Sequence, residues 1–497
     1  MSTSKPKAFL KQSKSKKKAE QALETVDDFQ AAGVDFEEAA GKWRAGDAVK
    51  SMRFFSRAIE VYDQGLQTFP TSIDLAYNKA RVLLEIATHP LLVPHLHRPL
   101  LEVLQQALEA HRYALTLDQD NPDTLFNTAQ VLTAIAEVCA KDVNRADQDV
   151  LQLLEEALEL QNRCLSIQEL KLEEYMQQQD EAATQIASEN ATEPTSVTDE
   201  GNPGSSAVGT EDQWFSVVEP VTKDTLIDTI LAQLGTLTTL SSFLSSSDSV
   251  PISSLGYIEE YSSKLVKTKL PPLLQDAEPE RLQEVALARA NLASELLKAG
   301  YLLGSIDPTT YKRERDEAFQ MPELELERSF PALLANANSL IAFNSALADG
   351  EASNAVSHAS MRWSALAAAI TNMATASKIS GPLPEDIAET HFIRGNCSLL
   401  QHQLGQPPIS YNAAIANGPQ LLKNAETFYR NASKLYQDPE QKAASQLRAV
   451  VAQAIQAQID IASAAVQHDQ GRDQEWVRVQ LDDMADDGLI APLAQSL

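Results

Sequence analysis

An internal repeat constrains this chain more than any other feature. Three segments align without gaps: Arg57-Ala-Ile-Glu-Val-Tyr-Asp-Gln-Gly-Leu, Gln106-Ala-Leu-Glu-Ala-His-Arg-Tyr-Ala-Leu and Glu156-Ala-Leu-Glu-Leu-Gln-Asn-Arg-Cys-Leu. Their leading alanines, Ala58, Ala107 and Ala157, stand 49 and 50 residues apart. A second pair matches independently: Tyr77-Asn-Lys-Ala-Arg-Val-Leu aligns with Phe126-Asn-Thr-Ala-Gln-Val-Leu at a spacing of 49. A fixed period of this length marks stacked supersecondary units, each covering its apolar face only with the next.

The residues inside the repeat have physical jobs. Small Ala80 and Ala129 let two antiparallel helices approach closely, and bulky Tyr62, Tyr77 and Phe126 fill the space between neighbouring hairpins. Pro70 ends one helix and Pro122 begins another, because proline lacks the N–H that a helix interior needs. Ala and Leu dominate over the β-branched residues, which favours helix over strand.

This pattern resembles the tetratricopeptide repeat family. Ala58, Tyr62, Gly65 and Pro70 stand in the order that marks that family's second helix. Ala80 between Tyr77 and Leu83, and Ala129 between Phe126 and Leu132, fit its first helix. The period of about 49 departs from the family's roughly 34. Extra residues around His89-Pro-Leu-Leu-Val-Pro and Lys141–Gln148 account for part of the difference. Weaker echoes follow: Leu292, Ala293, Leu296 and Gly300 fit a first helix, and Ala425, Tyr429 and Ala432, with Pro439 nearby, fit a second. The resemblance implies an all-α fold, an α-solenoid of antiparallel helix hairpins in a tetratricopeptide-like superhelix.

Composition divides the chain into five stretches. Residues 1–25 form a basic flexible arm, 26–170 the repeats, 171–222 an acidic disordered linker, 223–470 a second helical region and 471–497 an acidic C-terminal tail. No Lys or Arg occurs from 172 to 222, and Ser188–Gly209 is too polar to offset its chain entropy by burial, so a disordered insertion is expected. Breaks are expected at Ser241–Ser254, Pro271-Pro272, Gly304–Pro308, Pro322, Gly381–Pro384 and Gly405–Pro408. Trp476, Val477, Val479 and Leu481 give no clean helical stripe, so the last stretch reads as a docking tail.

The charge is lopsided. The whole chain carries −28, yet its first 18 residues hold seven lysines and no acid, leaving −35 on the remainder. Such a body repels nucleic-acid backbones and anionic lipid and attracts a basic protein; acidity alone also keeps a helical chain soluble. Lys14, Lys16, Lys17 and Lys18 read as a nuclear import signal, an anionic-surface contact or a solvated tail. No stretch of about 18 apolar residues occurs, so no membrane span is expected. Cys139, Cys164 and Cys397 form no close pair, which points to a reducing, cytoplasmic or nuclear setting.

Enzyme chemistry finds little support. The chain has no GxxxxGK[ST], GxSxG or HExxH motif. His89, His95 and His97 share a Pro-rich connection that lacks a metal site's ligand set, and His111, Cys139 and Cys164 read as core residues. Asp482–Asp487 lacks a calcium loop's glycine and terminal glutamate. No cofactor or metal is expected, and no enzyme activity. The family's carboxylate clamp is not expected either: Asn78 fits it, but Asp123 and Asn127 stand where cations are needed.

The expected site is therefore a groove lined by first-helix polar residues, Asn78, Arg81, Asn127 and Gln130. The two asparagines are equally suited to joining neighbouring helices. The expected function is that of an adaptor or dedicated chaperone for a basic client of the ribosomal-protein or histone type. The alternative is a constitutive scaffold subunit, suggested by apolar helices such as Trp363-Ser-Ala-Leu-Ala-Ala-Ala-Ile.

Overall fold

The computed structural model describes residues 23–141, 146–189, 220–246, 253–349, 356–468 and 473–492. Among them all regular structure is helical. Two compact units emerge, Met1–Leu240 with Lys264–Gln275 and Ser241–Ser263 with Asp276–Leu497. The basic arm with Lys14, Lys16, Lys17 and Lys18 lies outside the described residues, as do residues 190–219 of the expected insertion.

The first unit is a run of hairpins. Helices α1 (Val26–Trp43) and α2 (Ala48–Thr68) form the first, α3 (Ile73–Thr88) and α4 (Leu100–Leu117) the second, and α5 (Pro122–Cys139) and α6 (Asp147–Glu189) the third. Each hairpin also packs on the next, and the first helices touch one another, α1 with α3 and α3 with α5. Local chemistry sets the boundaries. Thr25 and Asp28 close a capping box on α1, while Asp47, Ser72 and Asn121 cap α2, α3 and α5. His89, His95 and His97 fall in the α3–α4 connection, which contains a single 3₁₀ turn at Val93–His95.

The repeat positions form the core of this unit. Ala58, Ala107 and Ala157 are fully buried on the second helices, one per hairpin. Four residues later stand Tyr62, His111 and Gln161, and seven later Gly65, Ala114 and Cys164, all buried. Ala80 and Ala129 are fully buried on the first helices. A third small residue matches them: Gly33 lies 47 residues before Ala80, and a Cβ there would meet the Tyr62 ring at 2.3 Å. The first hairpin therefore belongs to the same series, with the tyrosine lying directly on helix backbone.

Helix α7 (Lys223–Ser246) adds a nearly all-round buried helix to this unit through Leu240. Polar side chains hold it there: Gln161 donates to Thr236 at 3.0 Å, and Thr229 donates to Gln168 at 2.7 Å. After α8 (Ser253–Lys264) the helix widens into a π segment, Leu265–Lys269, and then α9 (Leu270–Leu273), which carries Pro271 and Pro272.

The second unit continues with α10 (Pro279–Leu302), α11 (Pro308–Ala318), α12 (Phe330–Ala348), α13 (Ala359–Ala376), α14 (Pro384–Gln403), α15 (Asn412–Leu435), α16 (Pro439–Ala457), α17 (Ile461–His468) and α18 (Gln474–Asp486). Proline at the first helical position opens α10, α11, α14 and α16. Gly381, at φ +115°, makes the turn before α14 in a backbone region that favours glycine. Successive helices from α12 to α18 pack as neighbours around one apolar core.

A second copy of the small-on-aromatic joint occurs here. Ala425, Tyr429 and Ala432 are fully buried on α15, and a Cβ on Gly395 of α14 would meet the Tyr429 ring at 2.5 Å. In the α10 echo Leu292 and Gly300 are buried, and only the small position departs from expectation. Ala293 is half-buried, whereas Ser294 is buried and hydrogen-bonds Ser339 of α12 at 2.9 Å.

Two further expectations differ from the structure. Helix α6 runs to Glu189, so the first part of the stretch read as linker is helical. The last stretch contains α18, not an irregular tail. Its stripe is Val477, Leu481 and Met484, and Leu489 and Ile490 bury after it. Met484 completes a spacing that Trp476 and Val479 obscure.

Candidate functional site

Arg81 and Asn127 face inward and tie successive first helices together. Arg81 of α3 ion-pairs with Glu37 of α1, which also accepts the Tyr62 hydroxyl hydrogen bond. Asn127 of α5 donates to the Tyr77 hydroxyl of α3 at 3.2 Å. Both are buried, so little of either is left for a ligand. Asn78 and Gln130 are half-buried. The structure therefore separates the four sequence-derived residues into two joints and two surface positions.

The joints are electrostatically tight. Burial works against the Arg81 charge, but the Glu37 carboxylate and its hydrogen bond outweigh it and raise the guanidinium's proton affinity. Burial first, and then the Glu37 charge, push the Tyr62 phenol far above its ordinary range. At the matching position of the second hairpin, His111 is wholly buried, with Nδ1 2.8 Å from the Ala107 carbonyl. Burial drives its pKa down to about 4, so the imidazole is neutral near pH 7 and Nδ1–H donates to that carbonyl. Burial likewise lifts the Cys164 and Cys397 thiols to about 12, which leaves them unreactive. Among the described residues no three His, Cys, Asp or Glu side chains converge as metal ligands would. Among the described residues no helix is long and apolar enough to cross a membrane.

The feature that the sequence did not single out is the far half of α6. Up to Gln168 the helix buries a regular stripe, Val150, Leu154, Ala157, Leu158, Gln161, Cys164, Leu165 and Gln168. Glu169 then pairs with Lys269 at 2.6 Å. From Leu170 to Glu181 nearly every side chain is exposed, including Leu170 (61%), Tyr175 (40%) and Met176 (52%). This segment carries Glu173, Glu174, Asp180 and Glu181 against the single cation Lys171. Leu172, Tyr175 and Met176 share one face, spaced three and four apart, beside the glutamates. A helix segment that exposes Tyr175 and Met176 gains little stabilisation from them, so such a surface is suited to covering by another chain. In the sequence the stripe does not break here, because Leu172, Tyr175 and Met176 prolong the spacing of Leu158, Gln161, Leu165 and Gln168; only the burial changes.

No protein-family model matches the chain. A UPF0656 protein of Schizosaccharomyces pombe is 36% identical over 160 residues, which is 31% of this chain and 35% of that protein. An uncharacterised protein of Saccharomyces cerevisiae is 38% identical over 89 residues, 17% of this chain and 16% of that protein. The match thus spans about a third of the first relative's length and about a sixth of the second's. Among solved structures, the Schizosaccharomyces pombe nuclear import adaptor Nro1 aligns at TM-score 0.35 and 12% identity, covering 84% of this chain and 98% of that one. A circular tandem repeat protein with novel repeat topology aligns at 0.30 and 12%, covering 93% and 95%. The repeat assignment rests on the packing of Ala58, Tyr62, Ala80 and their counterparts within this chain.

Proposed function

We propose that this chain is a non-enzymatic, protein-binding adaptor, and specifically a dedicated chaperone for a basic client of the ribosomal-protein or histone type. The observation that carries the reading is the segment of α6 from Leu170 to Glu181, where Glu173, Glu174 and Glu181 flank exposed Tyr175 and Met176 beside half-buried Leu172. A basic amphipathic segment would cover the apolar face and neutralise the acids together. Asn78 and Gln130, half-exposed on the first helices, are proposed as additional contacts. The lysines Lys14, Lys16, Lys17 and Lys18 would supply nuclear import, so that the protein serves both cytoplasm and nucleus. The reading requires neither cofactor nor membrane, and the acidity of the body disfavours direct contact with nucleic acid.

A second reading, a constitutive subunit of a larger assembly, draws on large apolar side chains exposed in the second unit, among them Tyr257, Ile415 and Ile459. Salt separates the two. Exposed charges are screened over roughly 8 Å at physiological ionic strength, whereas apolar burial survives or strengthens. The native partner is captured at low salt and washed at increasing salt. Release at moderate salt is expected for the chaperone; retention through molar salt transfers the assignment to the assembly subunit.

A further inference from the structure

The start of α2 reverses the sign of the surrounding surface. Residues 42–57 hold five cations, Lys42, Arg44, Lys50, Arg53 and Arg57, against one acid, Asp47, in a body of net −35. Lys42 and Arg44 are satisfied by Glu38 and Glu85. The remaining three lie at positions 50, 53 and 57, one face of the helix, and line a pocket of about 310 Å³ together with Asp47, Val49 and Phe54. Asp47 caps the helix, its Oδ1 accepting from the Lys50 backbone N–H at 2.8 Å, so the lining carries three cations against one carboxylate. Among the described residues no carboxylate ion-pairs with Arg53 or Arg57, and both side chains are exposed.

Phe54 lines the pocket, and two of the cations rest on neighbouring aromatic rings. Lys50 Nζ sits 3.1 Å over the Trp43 ring, and Trp43 is 42% exposed. Phe54 stacks with Phe36 of α1 at 6.5 Å between centroids, and the Arg57 guanidinium lies over Phe36 at 5.9 Å. Exposed Val49 completes an apolar rim. These cation–π contacts hold Lys50 and Arg57 over the rings.

We infer that this pocket is a second interaction site, which binds an acidic peptide segment of a protein partner through an apolar side chain flanked by carboxylates. The apolar side chain rests against Phe54 and Val49, and the carboxylates reach the forked donors of Arg53 and Arg57. Charge complementarity selects this occupant. A nucleic acid would match the cations and rings too, but its continuous backbone charge would extend onto the acidic body, whereas a short peptide confines its charge to the pocket. The chain would then carry two surfaces of opposite sign, one for a basic client and one for an acidic segment.

Fluorescence anisotropy on the full-length protein tests this with three labelled probes. They are a peptide of Asp and Glu residues around one Leu-Phe pair, its Asn/Gln counterpart, and a single-stranded oligonucleotide of equal charge. The acidic peptide is expected to bind saturably, and the neutral peptide at least tenfold more weakly. R53E/R57E should lower acidic-peptide affinity at least tenfold with an unchanged melting curve, and the milder R53Q/R57Q should show an intermediate loss. Absence of acidic-peptide binding, or binding indifferent to both double variants, overturns the site. An oligonucleotide that binds as tightly as the peptide, with the same loss in R53E/R57E, overturns the choice of partner.

Discussion

In the first unit Tyr62 lies on the bare backbone of Gly33, and its hydroxyl meets Glu37, which also holds Arg81. In the second unit Tyr429 lies on Gly395, and its hydroxyl donates to Asn396 at 2.8 Å, while Arg448 donates to the same oxygen at 2.9 Å. The arginine follows the tyrosine by 19 residues in both, in the third turn of the next helix. Both guanidinium Nε atoms are buried without a partner. The shared parts show that one geometric solution, a tyrosine bridging a hairpin to the helix after it, was used twice. The acceptor differs. Glu37 compensates the buried Arg81 charge at close range, whereas Asn396 offers only a dipole, and Arg448 draws on Asp487 at 3.6 Å and the Phe392 ring at 4.7 Å. The first joint concentrates its electrostatics in one pair; the second distributes them.

Removing the acceptor should expose this difference most. Glu37→Ala leaves Arg81 buried and unpaired, a change that typically costs about 3–5 kcal/mol. Asn396→Ala should cost about 1–3 kcal/mol, because Arg448 retains Asp487 and Phe392. Denaturant unfolding of the two variants checks the ranking. Equal losses would erase the distinction between a concentrated and a distributed joint. Glu37→Gln should fall between wild type and Glu37→Ala, since it makes the first joint chemically like the second.

Acid should act on the first unit through the position that Tyr62 occupies one hairpin earlier. His111 has a folded-state pKa of about 4, against an ordinary value of 6.5. The unfolded chain binds the extra proton between these values, so stability rises with pH across that window and is lost as pH falls from 6.5 toward 4. At the acid end this amounts to roughly 3 kcal/mol. His391 and His402 in the second unit, lowered by burial, share the direction, so the check is the difference between variants. His111→Gln, which copies Gln161 of the third hairpin, should flatten the stability–pH curve relative to wild type. An unchanged slope would mean that His111 is not the titrating group.

The two glycines provide the smallest and most symmetrical comparison. Alanine normally favours a helix by up to about 1 kcal/mol over glycine. At Gly33 and Gly395 the added methyl would collide with a buried tyrosine ring, and overpacking costs about 1–3 kcal/mol. Both substitutions should therefore lower the melting temperature on balance, Gly33→Ala at least as much as Gly395→Ala. Stabilisation by either would show that the ring moves aside.

The sequence made the hairpin series legible where spacing repeats. Ala58, Ala107 and Ala157 recur at a near-constant interval, and Ala80 and Ala129 share a motif, so their burial was readable. Gly33 escaped because α1 lacks the aromatic-Asn-x-Ala context of α3 and α5; only its distance from Ala80 marks it. Gly395 escaped because Ala425 and Tyr429 identify the second helix of a pair without naming the first. Arg81 and Asn127 looked like groove residues because polarity suggests solvent, yet a buried polar side chain is equally polar once it has a partner across the hairpins. The exposed half of α6 was hidden for a different reason. Its composition resembles the polar stretch that follows, yet its residues favour helix and the helix runs on to Glu189.

The most direct test of the account concerns that half of α6. The triple variant E173K/E174K/E181K reverses the charge on three exposed positions and disturbs no core contact. Wild type and variant are compared by the amount of native partner each captures at low salt, with circular dichroism confirming equal helicity. The account predicts that the folded variant loses most of the basic client that wild type retains. Undiminished capture of the same client by the folded variant would contradict it.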